Sequence, residues 1–454
     1  MLKAVSTFPR IPSRTFTKYI LSKPIQFNNM SSFSSSSSSS SSVPSLTYPK
    51  FVSIEGADIH SRTKPDGFRF TLVSYNILAQ AYVKSCFFPH SPSPSLKWKF
   101  RSNAVLQVLS NLAADFFCLQ EVDEFDSFYK GKMQELGYSS IYMKRSGQRK
   151  RDGCGLFYKH DRAELVLEDK IEYNDLVKSI PDVNSPNDDG SSNIQTVQPD
   201  KQKDVASKSD KLVEPKLSFC YFISIASVLP AFVHTHIYIY FRVCPLFINW
   251  FSDPGPKSNT EDRGDPNDPR VRLKRDCVGI LAAFKLKDPS RHVVIVANTH
   301  LYWDPELADV KLAQAEYLLS RLEQFRTLVA DRYECIPDVI VAGDFNSQPG
   351  DMVYQYLTSG NPSSKQVTEC LEDPHIPLCS VYASTRGEPP FTNYTPGFTG
   401  TLDYVLFSPS DHIKPISFLE LPDSNDADIA GGLPNYSHPS DHLPIGAEFE
   451  IIKE

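Results

Sequence analysis

The chain has 454 residues, 41% hydrophobic and 22% charged, enough apolar side chain for one large core or two smaller ones. A formal charge of −7 excludes a protein that wraps duplex nucleic acid by bulk charge, but not a nuclease whose carboxylates hold metal. Nine scattered cysteines without a Cys-x-x-Cys pair exclude a disulfide scaffold and read as free thiols in a reducing compartment.

The first 54 residues carry Lys3, Arg10, Arg14, Lys18, Lys23 and Lys50, no acidic residue, and an unbroken serine run from Ser34 to Ser42. Such a tract has nothing to bury, so residues 1–60 read as a flexible Ser-rich arm. Its basic, acid-free start suits a mitochondrial or plastid presequence. The other reading is an unprocessed arm on an enzyme of the cytoplasm and nucleus. Residues 61–454 read as one catalytic domain, interrupted at 181–268.

Alternation predicts a first strand over residues 68–75 that delivers Asn76. Residues 98–112 place Val105, Val108, Leu109 and Leu112 on one helical face. The short apolar run 116–119 reads as a strand delivering Gln120 and Glu121. Further strands are predicted at 154–158, 277–284, 293–297, 339–342, 402–407 and 445–449. Asp304-Pro305 opens a helix, because Asp accepts free amide hydrogens and proline at the first position gives up no bond. Several strands follow one another through loops, and no glycine-rich dinucleotide loop is present. Two mixed sheets packed face to face, with helices outside, are expected.

Residues 181–216 are polar and turn-rich, whereas 217–251 hold a single charged residue, Arg242, among aromatic and β-branched neighbours. A simple membrane span there would separate Asn76 and Glu121 from Asp344 and His442. Three readings remain: a buried or peripheral hairpin, a membrane-surface element, or sequence foreign to the functional protein.

The chemistry sits at strand ends. In Gly343-Asp344-Phe345-Asn346, extended backbone would turn Asp344 and Asn346 to one side and pack Phe345 into the other. A carboxylate beside an amide can orient a water and grip a phosphate oxygen. Glu121 is a hard oxygen ligand suited to Mg²⁺. His300, after Asn298-Thr299, and His442, after Ser440-Asp441, can donate to phosphate oxygens as charge develops. Asp403 lies among apolar neighbours, where a carboxylate needs a partner, and His442 is the natural one. No serine triad or zinc spacing accompanies them. Lys144, Arg145, Arg149, Lys150 and Arg151 cluster on a short loop that reads either as a solvated surface or as a phosphate track. Phe391, Asn393, Tyr394 and Phe398 form a proline-stiffened loop on which bases can stack.

The blocks Ser74-Tyr75-Asn76-Ile77-Leu78, Leu119-Gln120-Glu121-Val122-Asp123, Asn298-Thr299-His300-Leu301, Gly343-Asp344-Phe345-Asn346, Leu402-Asp403-Tyr404 and Ser440-Asp441-His442 together resemble the endonuclease/exonuclease/phosphatase superfamily. Within it they are most similar to the carbon catabolite repressor 4-like deadenylases, in particular plant homologues and the nocturnin-like branch. The resemblance implies an α+β fold, a four-layer α/β/β/α sandwich. It implies Mg²⁺-dependent 3′-to-5′ hydrolysis of poly(A) in single-stranded RNA, with release of 5′-AMP and one or two ions, Mn²⁺ being an alternative. It maps Glu121 and Asn76 onto metal ligands, Asp344 onto the residue that activates water, and Asn346 onto a phosphate contact. His300 and the Asp403–His442 pair map onto groups that stabilise the transition state, with Asp441 beside them. No leucine-rich repeat, the element that docks longer relatives onto the CCR4-NOT scaffold, precedes the blocks, which speaks against stable membership of that complex. The competing functions are a nocturnin-like phosphatase acting on a phosphorylated dinucleotide such as NADPH and a non-enzymatic RNA-binding protein.

Overall fold

The computed structural model describes residues 45–54, 68–180, 265–287, 291–358 and 376–452. The arm expected over residues 1–60 ends earlier, because Phe51–Ser53 pair with Ser417–Leu419 and Phe51 and Val52 pack onto the core. Residues 1–44 and the apolar segment 217–251 lie outside the described residues. Among the described residues no helix is long and apolar enough to cross a membrane.

The strands in chain order are β1 (Phe51–Ser53), β2 (Phe68–Asn76), β3 (Phe116–Gln120), β4 (Tyr138–Lys144), β5 (Gly153–Lys159), β6 (Ala163–Glu172), β7 (Val278–Leu286) and β8 (Val293–His300). They continue with β9 (Asp338–Asp344), β10 (Cys379–Ser380), β11 (Asn393–Tyr394), β12 (Thr399–Gly400), β13 (Asp403–Phe407), β14 (Ile413–Leu419) and β15 (Ile445–Ile451). A seven-stranded sheet runs β1-β14-β15-β2-β3-β5-β4, a six-stranded sheet runs β10-β13-β9-β8-β7-β6, and β11-β12 form a small hairpin. The helices are α1 (Trp98–Leu112), α2 (Lys130–Glu135), α3 (Pro269–Arg272), α4 (Ala308–Tyr333) and α5 (Met352–Thr358).

Three apolar layers hold the four structural layers together. Successive side chains on a strand point to opposite faces, and here both faces are covered. Phe70 and Leu72 of β2, Phe116 and Cys118 of β3, and Val294 and Val296 of β8 meet between the sheets. Val73, Tyr75, Phe117 and Leu119 face the other way, onto Val105, Val108 and Leu109 of α1. On the far side Ile295, Ala297, Val339 and Val341 meet Val310, Leu318, Leu322 and Phe325 of α4. The expected α/β/β/α sandwich is this arrangement.

Helix α1 has the bounds its apolar face predicts. The strand expected at 339–342 runs on to Asp344, and that at 293–297 runs on to His300, because both catalytic candidates still bond in the ladder. Asp304 does cap a start, accepting from the Glu306 amide at 2.9 Å. What it caps is a single 3₁₀ turn, Pro305–Leu307, and the α-helix proper begins at Ala308. Strands β4, β6 and β14 have no sequence expectation behind them. Each carries half-buried polar positions that blur the alternation.

Candidate active site

Two parallel strand pairs, one in each sheet, finish at the same rim of the sandwich. Asn76 lies opposite Gln120 in the β2–β3 pair, and His300 lies opposite Asp344 in the β8–β9 pair. Antiparallel β13 brings Asp403 opposite Asp344. Asn76 joins the two halves: its amide nitrogen donates to Glu121 Oε1 at 3.2 Å and to Asp344 Oδ2 at 3.0 Å. The backbone here is tight. Leu78, Glu121 and Asn346 have φ of 56°, 57° and 48°, a left-handed conformation that costs a non-glycine residue about 1–3 kcal/mol. At Gly343 a Cβ would run into the Thr299 carbonyl of β8, so only glycine lets β9 deliver Asp344 against β8.

Glu121 sits in an acidic corner. Its Oε2 accepts from the Ala79 amide at 2.9 Å, and the Leu78 amide donates to Asn76 Oδ1 at 3.0 Å. Burial, with help from the nearby Asp152 and Asp441 charges, pushes the Glu121 carboxyl up to about 8. Asp152 is fully buried, receives the Tyr82 hydroxyl at 2.6 Å, and has Arg145 at 3.6 Å. The Asp441 charge acts on both halves of the site, raising the Glu121 carboxyl and His442 alike. Asp441 Oδ2 accepts from the Asn393 amide at 3.4 Å.

The other half is an ion-pair chain. His442 Nδ1 lies 2.8 Å from Asp403 Oδ2, and its Nε2 lies 3.7 Å from Asp344 Oδ2. Burial pulls the imidazole down, but Asp403 and Asp344 outweigh it and hold His442 well above the ordinary histidine range. Burial and the Asp403 charge raise the Asp344 carboxyl. His300 Nε2 stands 3.5 Å from Asp344 Oδ2, and burial lowers its proton affinity against the pull of that carboxylate. Thr392 completes the chain by donating its hydroxyl to Asp403 Oδ2 at 2.6 Å. The Asp403–His442 pairing expected from the sequence is present.

Other expectations need correcting. The alternation argument for Asn346 fails, since its positive φ ends the strand at Asp344. The two residues still face each other, because the Asn346 amide donates to Asp344 Oδ1 at 2.9 Å, while Asn346 Nδ2 donates to the Leu301 carbonyl at 3.0 Å. Phe391 is no stacking surface: it is 2% exposed and packs with Ile429, Leu433 and Leu443. Asn393 is buried against Asp441, so it supports a site carboxylate instead of reading a base. Tyr394 leans on Phe391 and is half buried, which leaves Phe398, at 37% exposure, as the open ring of that loop. Arg145 is not part of a surface track. Its guanidinium is nearly buried and donates to the carbonyls of Asp276 and Arg275 at 3.0 and 3.1 Å. Lys144, Arg149 and Arg151 are exposed.

The profile of the Endonuclease/Exonuclease/phosphatase family matches residues 73–442, the interval that holds every residue of this site. The chain belongs to that family. Among relatives, it is 52% identical to carbon catabolite repressor protein 4 homolog 4 of Arabidopsis thaliana, over 89% of this chain and 91% of that one. It is 24% identical to the CCR4-Not complex 3′-5′-exoribonuclease subunit Ccr4 of Schizosaccharomyces pombe, over 86% of this chain but only 50% of that protein. The chain thus spans about half the length of its fungal relatives. A crystal structure of ANGEL2, a 2′,3′-cyclic phosphatase bound to adenosine-2′,3′-vanadate, shares the fold with a TM-score of 0.57 at 22% identity, covering 89% of this chain and 99% of that one.

For an endonuclease/exonuclease/phosphatase member the question is which cluster takes a metal ion. Asp344, Asp403 and His442 offer ligand atoms within 4.8 Å of one another. A cation already neutralises that cluster, since His442 is held protonated between two carboxylates. The Glu121 corner fits a hard divalent ion better. Glu121 and Asp441 bring carboxylates there, and the raised Glu121 carboxyl reflects burial and negative charge that no cation offsets. Asn76 turns its amide nitrogen to Glu121 and Asp344, so its oxygen would serve an ion only after the amide flips. Thr392, Tyr82 and Asp152 were missed by sequence reasoning. Their types are ordinary, and only the tertiary fold sets them against Asp403 and Glu121.

Proposed function

We propose that this protein is a metal-dependent 3′-to-5′ exoribonuclease that shortens poly(A) and releases 5′-AMP. The observation that carries the reading is the single side chain of Asn76 donating to Glu121 and Asp344 at once, which makes a metal corner and a proton-handling corner one site. The 52% identical Arabidopsis relative named as a carbon catabolite repressor 4 homologue and the fungal 3′-5′-exoribonucleases support the RNA substrate.

Glu121, Asn76 and Asp441 would hold a Mg²⁺ ion, which when bound supplies positive charge beside the phosphate oxygens. The other steps belong to side chains. Asp344 accepts the proton of the attacking water and holds that water in line with the terminal phosphodiester; the P–O3′ bond breaks, and the 3′-oxygen leaves on the shortened RNA and takes a proton from solvent. His442, kept protonated by Asp403, donates toward a non-bridging oxygen as charge builds there, and His300 flanks the same oxygen. Asn346 has one amide hydrogen left for phosphate after the other serves Leu301. Phe398 offers the open ring for a base.

The test incubates purified protein with A₂₀ RNA, mixed-sequence RNA and NADPH, each with and without Mg²⁺. Stepwise shortening of A₂₀ with 5′-AMP as product, only with Mg²⁺, is expected. Release of phosphate from NADPH with intact RNA would instead make the protein a dinucleotide phosphatase. RNA binding without cleavage would make it a binding protein. Its location follows the same path: a fusion of residues 1–60 to a fluorescent protein should enter mitochondria or plastids, and diffuse signal would remove the presequence.

A further inference from the structure

Arg101 lies in the first turns of α1, 2% exposed, and no carboxylate bonds to it. A buried guanidinium near a helix N-terminus is poorly placed, since the helix dipole opposes it and water is excluded. Burial accordingly lowers its proton affinity. Its hydrogen-bond partners are oxygens of loops that carry site residues. Nη2 donates to the carbonyls of Ile77 and Leu78, each at 2.6 Å. Nε donates to the Pro439 carbonyl at 2.7 Å, and Nη1 to Gln80 Oε1 at 3.1 Å.

The two short bonds fall on particular peptide groups. The Ile77 carbonyl shares its planar peptide with the Leu78 N–H, which holds Asn76 Oδ1. The Leu78 carbonyl shares its peptide with the Ala79 N–H, which holds Glu121 Oε2. One guanidinium therefore fixes the orientation of both amides that aim Asn76 and Glu121, and polarises them through the peptide. Its third bond, to Pro439, secures the residue just before Ser440, whose hydroxyl donates to the Asn76 carbonyl at 2.7 Å. Asp441 follows directly.

We propose that Arg101 is a positioning residue that holds Glu121, Asn76 and the loop of Asp441 in the arrangement a divalent cation needs. It touches neither substrate nor ion, and it rests on the metal corner assigned above. Groups that orient ligands in this way change metal affinity or activity by roughly 10–100-fold when lost.

The test compares the full-length protein with Arg101→Gln, Arg101→Lys and Arg321→Gln. Arg321 of α4 is a buried arginine paired with Asp169 of β6 and bonded to no residue of the site, and serves as the control for lost stability alone. Mn²⁺ binding is read by the loss of free-ion EPR signal, alongside Tm and the kcat and KM for A₂₀. Arg101→Gln should bind Mn²⁺ at least ~10-fold more weakly and lose kcat in proportion, with KM unchanged. Arg101→Lys should fall between, because one ammonium cannot reach both loops, and Arg321→Gln should lower Tm only. Should Arg101→Gln fail to fold, Arg101→Lys alone decides. Wild-type Mn²⁺ affinity and kcat in a folded Arg101 variant would overturn the proposal. A wild-type protein that binds Mn²⁺ but leaves A₂₀ intact would sink the proposed function, while the Mn²⁺ comparison would still judge Arg101.

Discussion

At the scale of single residues, the site separates a proton-holding carboxyl from a proton-holding imidazole, and each makes a testable statement about pH. In the metal-free protein Glu121, raised to about 8, keeps a proton that the unfolded chain has lost well below neutral pH. That carboxyl therefore favours the folded state at acid pH, and the contribution disappears as pH climbs through 8. A divalent ion must displace the same proton. Mn²⁺ affinity should rise from pH 6 to 8 and then level off, and Glu121→Gln should abolish both the binding and its pH dependence. Equal affinity at pH 6 and pH 8 would remove Glu121 as the proton-linked ligand. At the other corner, Asp403→Asn takes away the charge that keeps His442 protonated against burial. Turnover should fall at least ~10²-fold, the scale of a lost acid–base group, and the alkaline limb of kcat should move to lower pH. A profile that keeps its shape would give His442 another source of charge. Asn76, Glu121, His300 and Asp344 were legible because each closes an apolar run that a strand explains, and Asp403 and His442 because each stands just before one. Arg101 and Thr392 were not, since their partners lie far away in sequence and only the fold reveals them.

At the scale of elements, a strand end is a precise way to aim a side chain, and a loop is not. β9 shows why the site is rigid: Gly343 lets it lie close to β8, and the parallel register with β8 then fixes His300 against Asp344. Continuous apolar runs marked these strands well because both faces of each sheet are covered, so inward and outward positions are equally apolar. It read the aromatic loop poorly. Aromatic rings between prolines suit a stacking surface and a self-packing loop equally, and composition cannot tell which ring turns inward. The structure divides them, with Phe391 in the core and Phe398 outside. Two substitutions should therefore behave differently. Phe391→Ala removes a ring packed against Ile429, Leu433 and Leu443 and should destabilise the fold by ~3–5 kcal/mol. Phe398→Ala should leave Tm unchanged and raise KM for A₂₀ by about 5- to 150-fold, the ~1–3 kcal/mol of one base–aromatic contact. A Phe398 variant with unaltered KM would show that RNA leaves the site along another wall.

At the scale of the whole molecule, the chain departs from the sandwich between β6 and β7 and returns beside the point where it left. Glu172 of β6 is the ladder partner of Val278 of β7, so the two strands need only a short connection. The neck is closed twice: Asn174 Oδ1 accepts from the amides of Arg275 and Asp276 at 2.9 and 3.0 Å, and Arg145 donates to the carbonyls of the same two residues. Nothing in the sheet ladder therefore requires the intervening residues, which is why a polar, turn-rich stretch could be read there as an interruption of one domain. The apolar segment 217–251 poses the sharper question, since 35 residues with one charge are out of place in such a connection. Deleting residues 217–251 should leave the neck, the sheet register and every site residue where they are. Loop-closure entropy changes slowly with length, so the shorter connection should alter stability by no more than ~0.5 kcal/mol, in the favourable direction. Activity on A₂₀ should be retained and soluble yield should rise, because a long apolar stretch with a single charge promotes association. Unfolding of the deleted protein would place the segment in the core. Liposome binding by the intact chain but not by the deletion would instead make it a membrane-surface element that positions an otherwise complete nuclease domain.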